Sequence, residues 1–260
     1  MSLPTFTTLG AGHTVLMLHG MAGTHLAFAP QVESLAMAGY RAVAWDMPGY
    51  GLSPPVEPYN FKGLAARCIA LIEALHCGTV TLLGHDIGGM VAQEVIARRP
   101  ELVDKLVLCG TRSAFAPEDA PAQQAFVASR TALLDEGRGM EAVAETLVPQ
   151  LVGPGSLPEG VRLAEHCVRQ VNPSTYRRAL EAYVSFDRQA SLPNIHVPTL
   201  LVAGEHDRDA PSEEMRQMAH CIPSSTFLQL RGIGHLPNLE APDDFDAAVL
   251  SFLALPRILH

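Results

Sequence analysis

The stretch Gly84-His85-Asp86-Ile87-Gly88-Gly89 decides the fold of this chain. It stands between an apolar, β-branched run at 79–83 and a helix-forming run at 89–98 that is closed by Pro100. The glycines permit a strained turn from strand to helix, which would project the side chain of Asp86 from its tip. Because the start of a helix favours negative charge, the turn would stabilise an attacking carboxylate or the oxyanion of an acyl intermediate.

Short apolar strands alternate with helical segments around this turn. The predicted strands are 15–18, 42–45, 80–83, 105–109, 199–203 and 226–230. The predicted helices between and after them are 27–38, 61–75, 89–98 and 242–253. This alternation is typical of a mostly parallel central sheet with helices on both faces, so the sequence predicts an α/β fold.

The alternation breaks between residues 111 and 192. This segment holds four helix-like stretches, at 122–136, 141–148, 158–170 and one that Asn172-Pro173 caps and opens. We therefore expect residues 1–110 and 193–260 to form the α/β core and residues 111–192 to form an inserted helical cap.

Composition restricts the classes of function. A chain of 260 residues that is 48% hydrophobic can bury one large core, and its charge of −9 argues against nucleic acid or an anionic membrane as a partner. No apolar segment approaches the roughly 20 residues of a membrane span, and no basic run precedes an apolar stretch at the start. We expect a cytoplasmic protein, a monomer or a homodimer, that acts on a small-molecule substrate.

The cysteines and histidines show no pattern typical of a metal or redox site. The five cysteines are scattered, mostly among apolar residues, and are predicted to be reduced, buried thiols: Cys68, Cys77, Cys109, Cys167 and Cys221. Neither an H-E-x-x-H motif nor a CxxC spacing occurs. We therefore predict no metal and no cofactor.

A base and an orienting acid follow the turn along the chain. Gly232-Ile233-Gly234-His235 comes directly after the last predicted strand, and His235 alone among eleven histidines lies in such a glycine-flanked loop. Gly204-Glu205-His206-Asp207 follows the strand before it, and Asp207 is preferred over Asp209 as the acid because it closes this glycine turn. The order of nucleophile, acid and base then matches a hydrolytic triad of Asp86, Asp207 and His235, in which His85 and His206 serve as supporting or packing residues.

A third element follows the first predicted strand, at His19-Gly20-Met21-Ala22-Gly23. Its small residues allow a backbone N–H to face the site, and we expect this N–H to be that of Met21. Together with the N–H of Ile87 it would form an oxyanion hole.

These motifs resemble the α/β-hydrolase superfamily over nearly the full chain. The turn D-x-x-G-x-G-x-S at Asp46 to Ser53, the run 195–207 and the run 234–242 carry the likeness beyond the triad. The chain is most similar to small bacterial serine hydrolases, which include 3-oxoadipate enol-lactonases, meta-cleavage-product hydrolases and carboxylesterases. The departure is at Asp86, where that subgroup has serine.

The aspartate leaves three interpretations open. The first is a hydrolase of a small hydrophobic ester, lactone or related carboxyl-type substrate, in which Asp86 stands at the serine position and reduces or traps activity. The second is a true aspartate-nucleophile hydrolase that forms an alkyl ester, because a carboxylate attacking a carbonyl gives only a reversible mixed anhydride whereas it can displace a leaving group at sp³ carbon. The third is a ligand-binding pseudoenzyme.

Accessory residues rank the substrates of the second interpretation. The dehalogenases of the superfamily place tryptophan after the aspartate to hold the halide, whereas this chain has Ile87, and its only tryptophan, Trp45, lies in a predicted strand. Epoxide hydrolases use cap tyrosines, and Tyr176 and Tyr183 are seven residues apart on one predicted cap helix. An epoxide is therefore preferred over a haloalkane. Tyr176, Tyr183 and Phe115 are candidate substrate-binding residues, with packing in the cap core as the alternative.

Overall fold

A computed structural model describes residues 2–115 and 120–256. Its centre is a seven-stranded sheet. The strands are β1 (Phe6–Leu9), β2 (Thr14–Leu18), β3 (Arg41–Trp45), β4 (Val80–His85), β5 (Val103–Cys109), β6 (Thr199–Gly204) and β7 (Ser225–Leu230). All six predicted strands are present, each within two residues of its predicted ends.

The strands are ordered β1-β3-β2-β4-β5-β6-β7, with β1 antiparallel to β3 and the other pairs parallel. Strand β4 is therefore central, and its carboxyl end meets those of β2, β5 and β6 at one edge, where ligands bind in open α/β sheets. The sequence did not predict β1, because all four of its residues are exposed and it carries no buried apolar run.

Both faces of the sheet are buried. Along β2, Leu16 and Leu18 belong to one hydrophobic cluster, whereas Val15 and Met17 belong to the other. This is the period of two expected of a strand covered on both sides. The covering helices are α1 (Ala29–Met37), α2 (Phe61–Ala74), α3 (Ile87–Arg98), α8 (Ser212–Cys221) and α10 (Pro242–Leu253). Helices α2, α3 and α8 contribute to the first cluster, and α1 and α10 contribute to the second.

Four helices lie between β5 and β6, and we call them the helical insertion: α4 (Ala120–Asp135), α5 (Gly139–Leu151), α6 (Pro158–Arg169) and α7 (Pro173–Val184). The chain enters and leaves this insertion side by side. Phe115 N–H donates to Phe186 O at 3.0 Å, and Arg188 N–H donates to Ser113 O at 2.7 Å. The four predicted helices of this segment are thus present, whereas residues 116–119 of the predicted cap, and residues 1 and 257–260 of the predicted core, lie outside the described residues.

The cysteines differ in part from the prediction. Cys68, Cys109 and Cys167 are buried free thiols, whereas Cys77 is half-buried and Cys221 is exposed. The uniform burial expected for Cys221 is therefore wrong, because it is the last residue of α8, where the helix reaches the surface. Within the described part of the chain, no helix is long and apolar enough to span a bilayer.

Candidate active site

Asp86 occupies a strained turn between β4 and α3. Its backbone has φ 53° and ψ −122°, a conformation that non-glycine residues rarely adopt. The turn needs small residues around it, because a Cβ atom on Gly88 would lie 2.1 Å from Leu18 O. The geometry is that of a nucleophile elbow, in which the side chain of residue 86 stands at the carboxyl edge of the sheet.

The carboxylate of Asp86 reaches the backbone amides that were predicted to bind an oxyanion. Met21 N–H donates to Asp86 Oδ2 at 2.9 Å, and the Ile87 amide also donates a hydrogen bond to this carboxylate. Burial raises the pKa of Asp86, and His235 together with these two amides opposes that rise by stabilising the ionised form. Glycine at position 20 leaves room for these side chains, since a Cβ atom there would lie 2.8 Å from His85 Nδ1 and 3.0 Å from Asp86 Oδ2.

The turn that carries Met21 is held from two sides. His19 Nε2 accepts from Met47 N–H at 3.0 Å, so its Nδ1 is the donor to Gly20 O at 2.8 Å. This neutral tautomer agrees with burial, which lowers the pKa of His19 to about 4. The Tyr50 hydroxyl donates to Met21 O at 2.8 Å. These bonds fix the direction of the Met21 amide toward the elbow.

His235 lies between two carboxylates. Its Nδ1 is 2.9 Å from Asp207 Oδ2 and 3.0 Å from Oδ1, and its Nε2 is 3.9 Å from Asp86 Oδ1. Burial disfavours the imidazolium, but the charge and hydrogen bonds of Asp207, with the charge of Asp86, raise the pKa of His235 to about 10. The three predicted triad residues are therefore brought together, with the ring oriented so that Nε2 faces Asp86.

Asp207 and Asp209 have different partners. Asp207 Oδ1 accepts from the amides of Asp209 at 2.8 Å and Ala210 at 2.9 Å. Burial opposes ionisation of Asp207, yet His235 and these amides lower its pKa below the usual range. The Asp209 carboxylate instead binds Arg130 Nη2 at 2.6 and 2.7 Å. The structure thus sets Asp207, and not Asp209, against the imidazole.

The two histidines expected to be supporting or packing residues lie in different surroundings. His85 is buried and its Nε2 donates to His235 O at 2.7 Å; burial lowers its pKa to about 3, so the ring is neutral. His206 is exposed beside Glu205.

A cavity opens above the elbow, between the sheet edge and the helical insertion. It holds about 640 Å³ of space free of protein atoms, counting the part open to solvent. Asp86 and His235 lie in its wall. One part of the wall is apolar and comes mainly from the insertion: Leu147, Val148, Leu151, Ala164 and Val168. The cavity also has a polar part around Arg130, Asp209 and Tyr176.

The three candidate substrate-binding residues are placed differently. Tyr176 lies in the cavity wall together with Phe126. Tyr183 stacks on Phe126, with ring centroids 5.9 Å apart, and Phe115 packs against the same ring at 5.0 Å. Among the described residues, therefore, Tyr176 faces the cavity, whereas Tyr183 and Phe115 support the ring that lines it.

Sequence reasoning missed Arg130, Tyr50 and Glu240. Arg130 meets Asp209 across 79 residues of chain, so no local pattern shows the pair. Tyr50 lies inside the D-x-x-G-x-G-x-S turn, and Glu240 lies inside the run 234–242; both motifs were noted, but not what these side chains bind. No group of three or more His, Cys, Asp or Glu side chains in the described ranges is arranged to hold a metal ion.

Comparison with known proteins agrees with this architecture. A protein from Pseudomonas syringae pv. syringae (strain B728a) assigned as a carbamate hydrolase, RutD, is 29% identical over 249 residues, 93% of each chain. The structure of a thermophilic esterase from Thermogutta terrifontis superimposes with a TM-score of 0.86 at 27% identity, covering 96% of this chain and 92% of the other. The enol-lactonase of Burkholderia xenovorans LB400 shares the fold, with a TM-score of 0.84 at 22% identity and coverages of 96% and 96%.

The family profile described as the α/β hydrolase fold matches residues 13–242, which is most of the chain. This match contains the elbow, both loops that carry Asp207 and His235, and the whole helical insertion. The predicted family and fold class are confirmed, and the chain belongs to the α/β-hydrolase fold family.

Proposed function

We propose that this hydrolase-family protein cleaves a small, largely apolar substrate through a covalent alkyl ester on Asp86, with an epoxide as the substrate class. One observation carries the proposal: the Asp86 carboxylate itself fills the oxyanion hole, with Oδ2 accepting the Met21 N–H at 2.9 Å. Its other oxygen, Oδ1, lies on the side of His235. One oxygen is thus held in place while the other is available to attack.

A filled hole disfavours direct attack on a carbonyl. The amides of Met21 and Ile87 already bind the Asp86 carboxylate, so a carbonyl oxygen of a substrate would have no donors as its negative charge develops. Attack of a carboxylate on an acyl carbon would also give a mixed anhydride, which reverts easily. An sp³ carbon needs no oxyanion hole in the first step, and the resulting alkyl ester is stable enough to be a distinct intermediate.

In the first step Oδ1 of Asp86 forms a bond to a ring carbon of the epoxide while the carbon–oxygen bond of the ring breaks. The electron pair moves to the ring oxygen, which must gain a proton. Tyr176 lies in the same cavity wall, and burial raises its pKa to about 12, so the hydroxyl is protonated at neutral pH. We assign Tyr176 as the group that hydrogen-bonds to the ring oxygen and gives it a proton, which it regains from solvent.

In the second step His235 takes a proton from water, and the hydroxide attacks Cγ of Asp86. The negative charge then forms on Oδ2, which the Met21 amide binds, and the Ile87 amide is the second donor to this group. When the intermediate collapses, the Cγ–Oδ1 bond breaks and the imidazolium of His235 gives its proton to the departing Oδ1, so the diol is released. The carboxylic acid left on Asp86 loses a proton to solvent, which restores the carboxylate. Esterification removes the charge of Asp86, one of the causes that raise the pKa of His235. The pKa of His235 therefore falls after the first step, so the imidazolium can release its proton to solvent and the neutral imidazole is then available to accept a proton from water.

Trapping the intermediate tests this route. Because the second step needs the imidazole, His235→Gln should stop after alkylation. Incubation with styrene oxide should then add the mass of the epoxide to the intact protein, on the peptide that contains Asp86. His206→Gln, which changes an exposed histidine, is the matched control and should turn over without an adduct. Absence of an adduct in His235→Gln would exclude the alkyl-ester route for this substrate.

The second candidate is hydrolysis of a small hydrophobic ester, lactone or related carboxyl-type substrate. The observation in its favour is the likeness to the Thermogutta terrifontis esterase, together with RutD. In this candidate Asp86 stands where an esterase of the superfamily has serine. The contacts of the Asp86 carboxylate with the Met21 amide and His235 occupy the site, so ester hydrolysis is slow. A third candidate, ligand binding without turnover, would be favoured if neither epoxides nor esters reacted.

We also propose that residues 111–192, which contain the helical insertion, form a cap over the cavity at Asp86. Residues 1–110 and 193–260 then form the two parts of the core. A cytoplasmic location and a monomeric or homodimeric state are proposed with it. Fractionation of the native host cells tests the first, and light scattering of the purified protein tests the second.

A further inference from the structure

Glu240 is a buried carboxylate next to the histidine loop, in the short helix α9 (Pro237–Glu240). Its Oε2 accepts hydrogen bonds from Gly234 N–H and Gly153 N–H, both at 2.7 Å, and from the Ser156 hydroxyl at 2.5 Å. Its Oε1 accepts from Leu236 N–H at 2.7 Å. These donors are uncharged, and together they satisfy both oxygens of a side chain that is only 1% exposed.

The donors flank His235 on both sides. Gly234 precedes His235 and binds one oxygen of Glu240, while Leu236 follows it and binds the other. The carboxylate is planar and rigid, so it fixes both peptide groups next to the histidine at once. The His235 amide itself donates to Leu151 O at 2.6 Å.

The same carboxylate binds the helical insertion. Gly153 and Ser156 follow α5, and the neighbouring Leu157 N–H donates to Glu240 O at 2.9 Å. The insertion also supplies the apolar wall of the cavity. One side chain therefore joins the wall that holds the substrate to the loop that holds the base.

We propose that Glu240 is a positioning residue, which sets His235 for the water-activating second step and links that setting to the helical insertion. This inference rests on the proposed alkyl-ester route. Glu240 itself touches no reacting atom. Alkylation depends on the Asp86 carboxylate, which the amides of Met21 and Ile87 hold in place, so the loss of Glu240 should leave the first step nearly unchanged.

The test is Glu240→Gln, which keeps the shape of the side chain but replaces one acceptor by an NH₂ group. Whichever way the amide points, an NH₂ group then faces N–H donors that need an acceptor. A shift of the base on the scale of 1 Å should slow hydrolysis of the ester by about 10- to 100-fold. We expect the Asp86 adduct to accumulate during turnover of styrene oxide in Glu240→Gln and not in the parent.

Glu94→Gln is the matched control, because Glu94 is also a buried carboxylate but binds Arg98 and Arg188, on α3 and after α7. It should lower stability without accumulation of the adduct. Equal slowing of both steps in Glu240→Gln, or no adduct there while His235→Gln accumulates one, would overturn the proposal.

A second measurement does not depend on turnover. In an NMR titration, the ring signals and apparent pKa of His235 should move in Glu240→Gln and stay unchanged in Glu94→Gln, even if no epoxide reacts. Failure of the alkyl-ester route and failure of this inference are thus distinguished. Ser156→Ala removes only the hydroxyl donor from the insertion and covers the case in which Glu240→Gln does not fold. It should shift the His235 signals in the same direction by a smaller amount, and an unchanged spectrum would refute the link to the insertion.

Discussion

Replacing Asp86 by serine should create ester hydrolysis. The substitution removes the carboxylate that occupies the proposed oxyanion hole and leaves a hydroxyl near the Nε2 of His235, whose Nδ1 stays bound to Asp207 at 2.9 Å. The Met21 and Ile87 amides then become free to bind the oxygen of a substrate carbonyl. The single substitution therefore does two things. It supplies a nucleophile suited to acyl transfer, and it frees the two amides that would stabilise the negative charge of the acyl intermediate.

The structure sets the size of the expected gain. Loss of one oxyanion donor costs about 10²- to 10³-fold in kcat, or roughly 3 to 4 kcal/mol, and two donors are occupied in the parent. The two donors act as a unit, so their effects do not simply multiply. We expect kcat/KM for p-nitrophenyl acetate to rise by at least about 10²-fold in Asp86→Ser, measured by release of p-nitrophenolate.

Two further variants isolate the cause. Asp86→Ala empties the hole without adding a nucleophile and should remain near the parent. Adding His235→Gln to Asp86→Ser should remove most of the gain, since the serine then lacks its base. If the serine form is no faster than the alanine form, the amides of Met21 and Ile87 do not work as an oxyanion hole and the geometric reasoning fails.

The same substitution has a consequence for stability. Burial raises the folded-state pKa of Asp86 above the unfolded value, so its contribution to stability is present below the unfolded value and is lost as pH rises through the raised one. Above the raised pKa the ionised side chain thus opposes folding. Asp86→Ser should therefore gain Tm relative to the parent as pH rises through that pKa, and the gap should narrow in acid; a gap that narrows as pH rises would contradict this sign.

Three more outcomes follow from the site. The pKa of His235 is raised from 6.5 to about 10, so its contribution to stability is fully present below pH 6.5 and is lost as pH rises through about 10. An NMR titration that gives His235 a pKa at or below 6.5 would contradict the ion pair. Tyr176→Phe should slow adduct formation from styrene oxide by about 10²-fold or more, whereas Tyr183→Phe, on the same helix but behind Phe126, should change it little; equal effects would argue against an acid role for Tyr176. Gly20→Ala would bring a Cβ to 3.0 Å from Asp86 Oδ2 and should lower activity by about 10²-fold with intact folding, checked by turnover and circular dichroism; unchanged turnover would show that the carboxylate can move aside.

Local sequence patterns predicted the parts of this molecule that depend on short stretches of chain. The apolar runs identified six strands, and the glycines around Asp86 identified the turn at its strained φ of 53°. The glycine-flanked loop identified His235, which the fold brings within 3.0 Å of Asp207 across 28 residues of chain. In each case the residues that determine the local conformation are neighbours in sequence.

Contacts between distant segments were beyond those patterns. Strand β1 pairs with β3 through backbone hydrogen bonds. Its side chains are exposed, so they show no apolar pattern from which this pairing could be predicted. The spacing of seven residues predicted that Tyr176 and Tyr183 point the same way from their helix. It could not predict that Phe126 would lie between the Tyr183 ring and the cavity, because that depends on how the insertion packs. The four hydrogen bonds of the Glu240 side chain join segments that are distant in sequence. Glutamate is usually exposed, so the sequence alone does not predict that this one is buried.

The two ends of the helical insertion pair through Ala114 and Asp187, so the segment leaves and rejoins the sheet at a single point. A unit with adjoining ends can be exchanged by recombination without stretching the body that carries it. A chimera that takes this unit from the Thermogutta terrifontis esterase should keep the acid and base while its substrate range changes. The graft has one requirement: at the places of Gly153 and Ser156 it must bring donors for Glu240, or the new substrate pocket will come with a misplaced base.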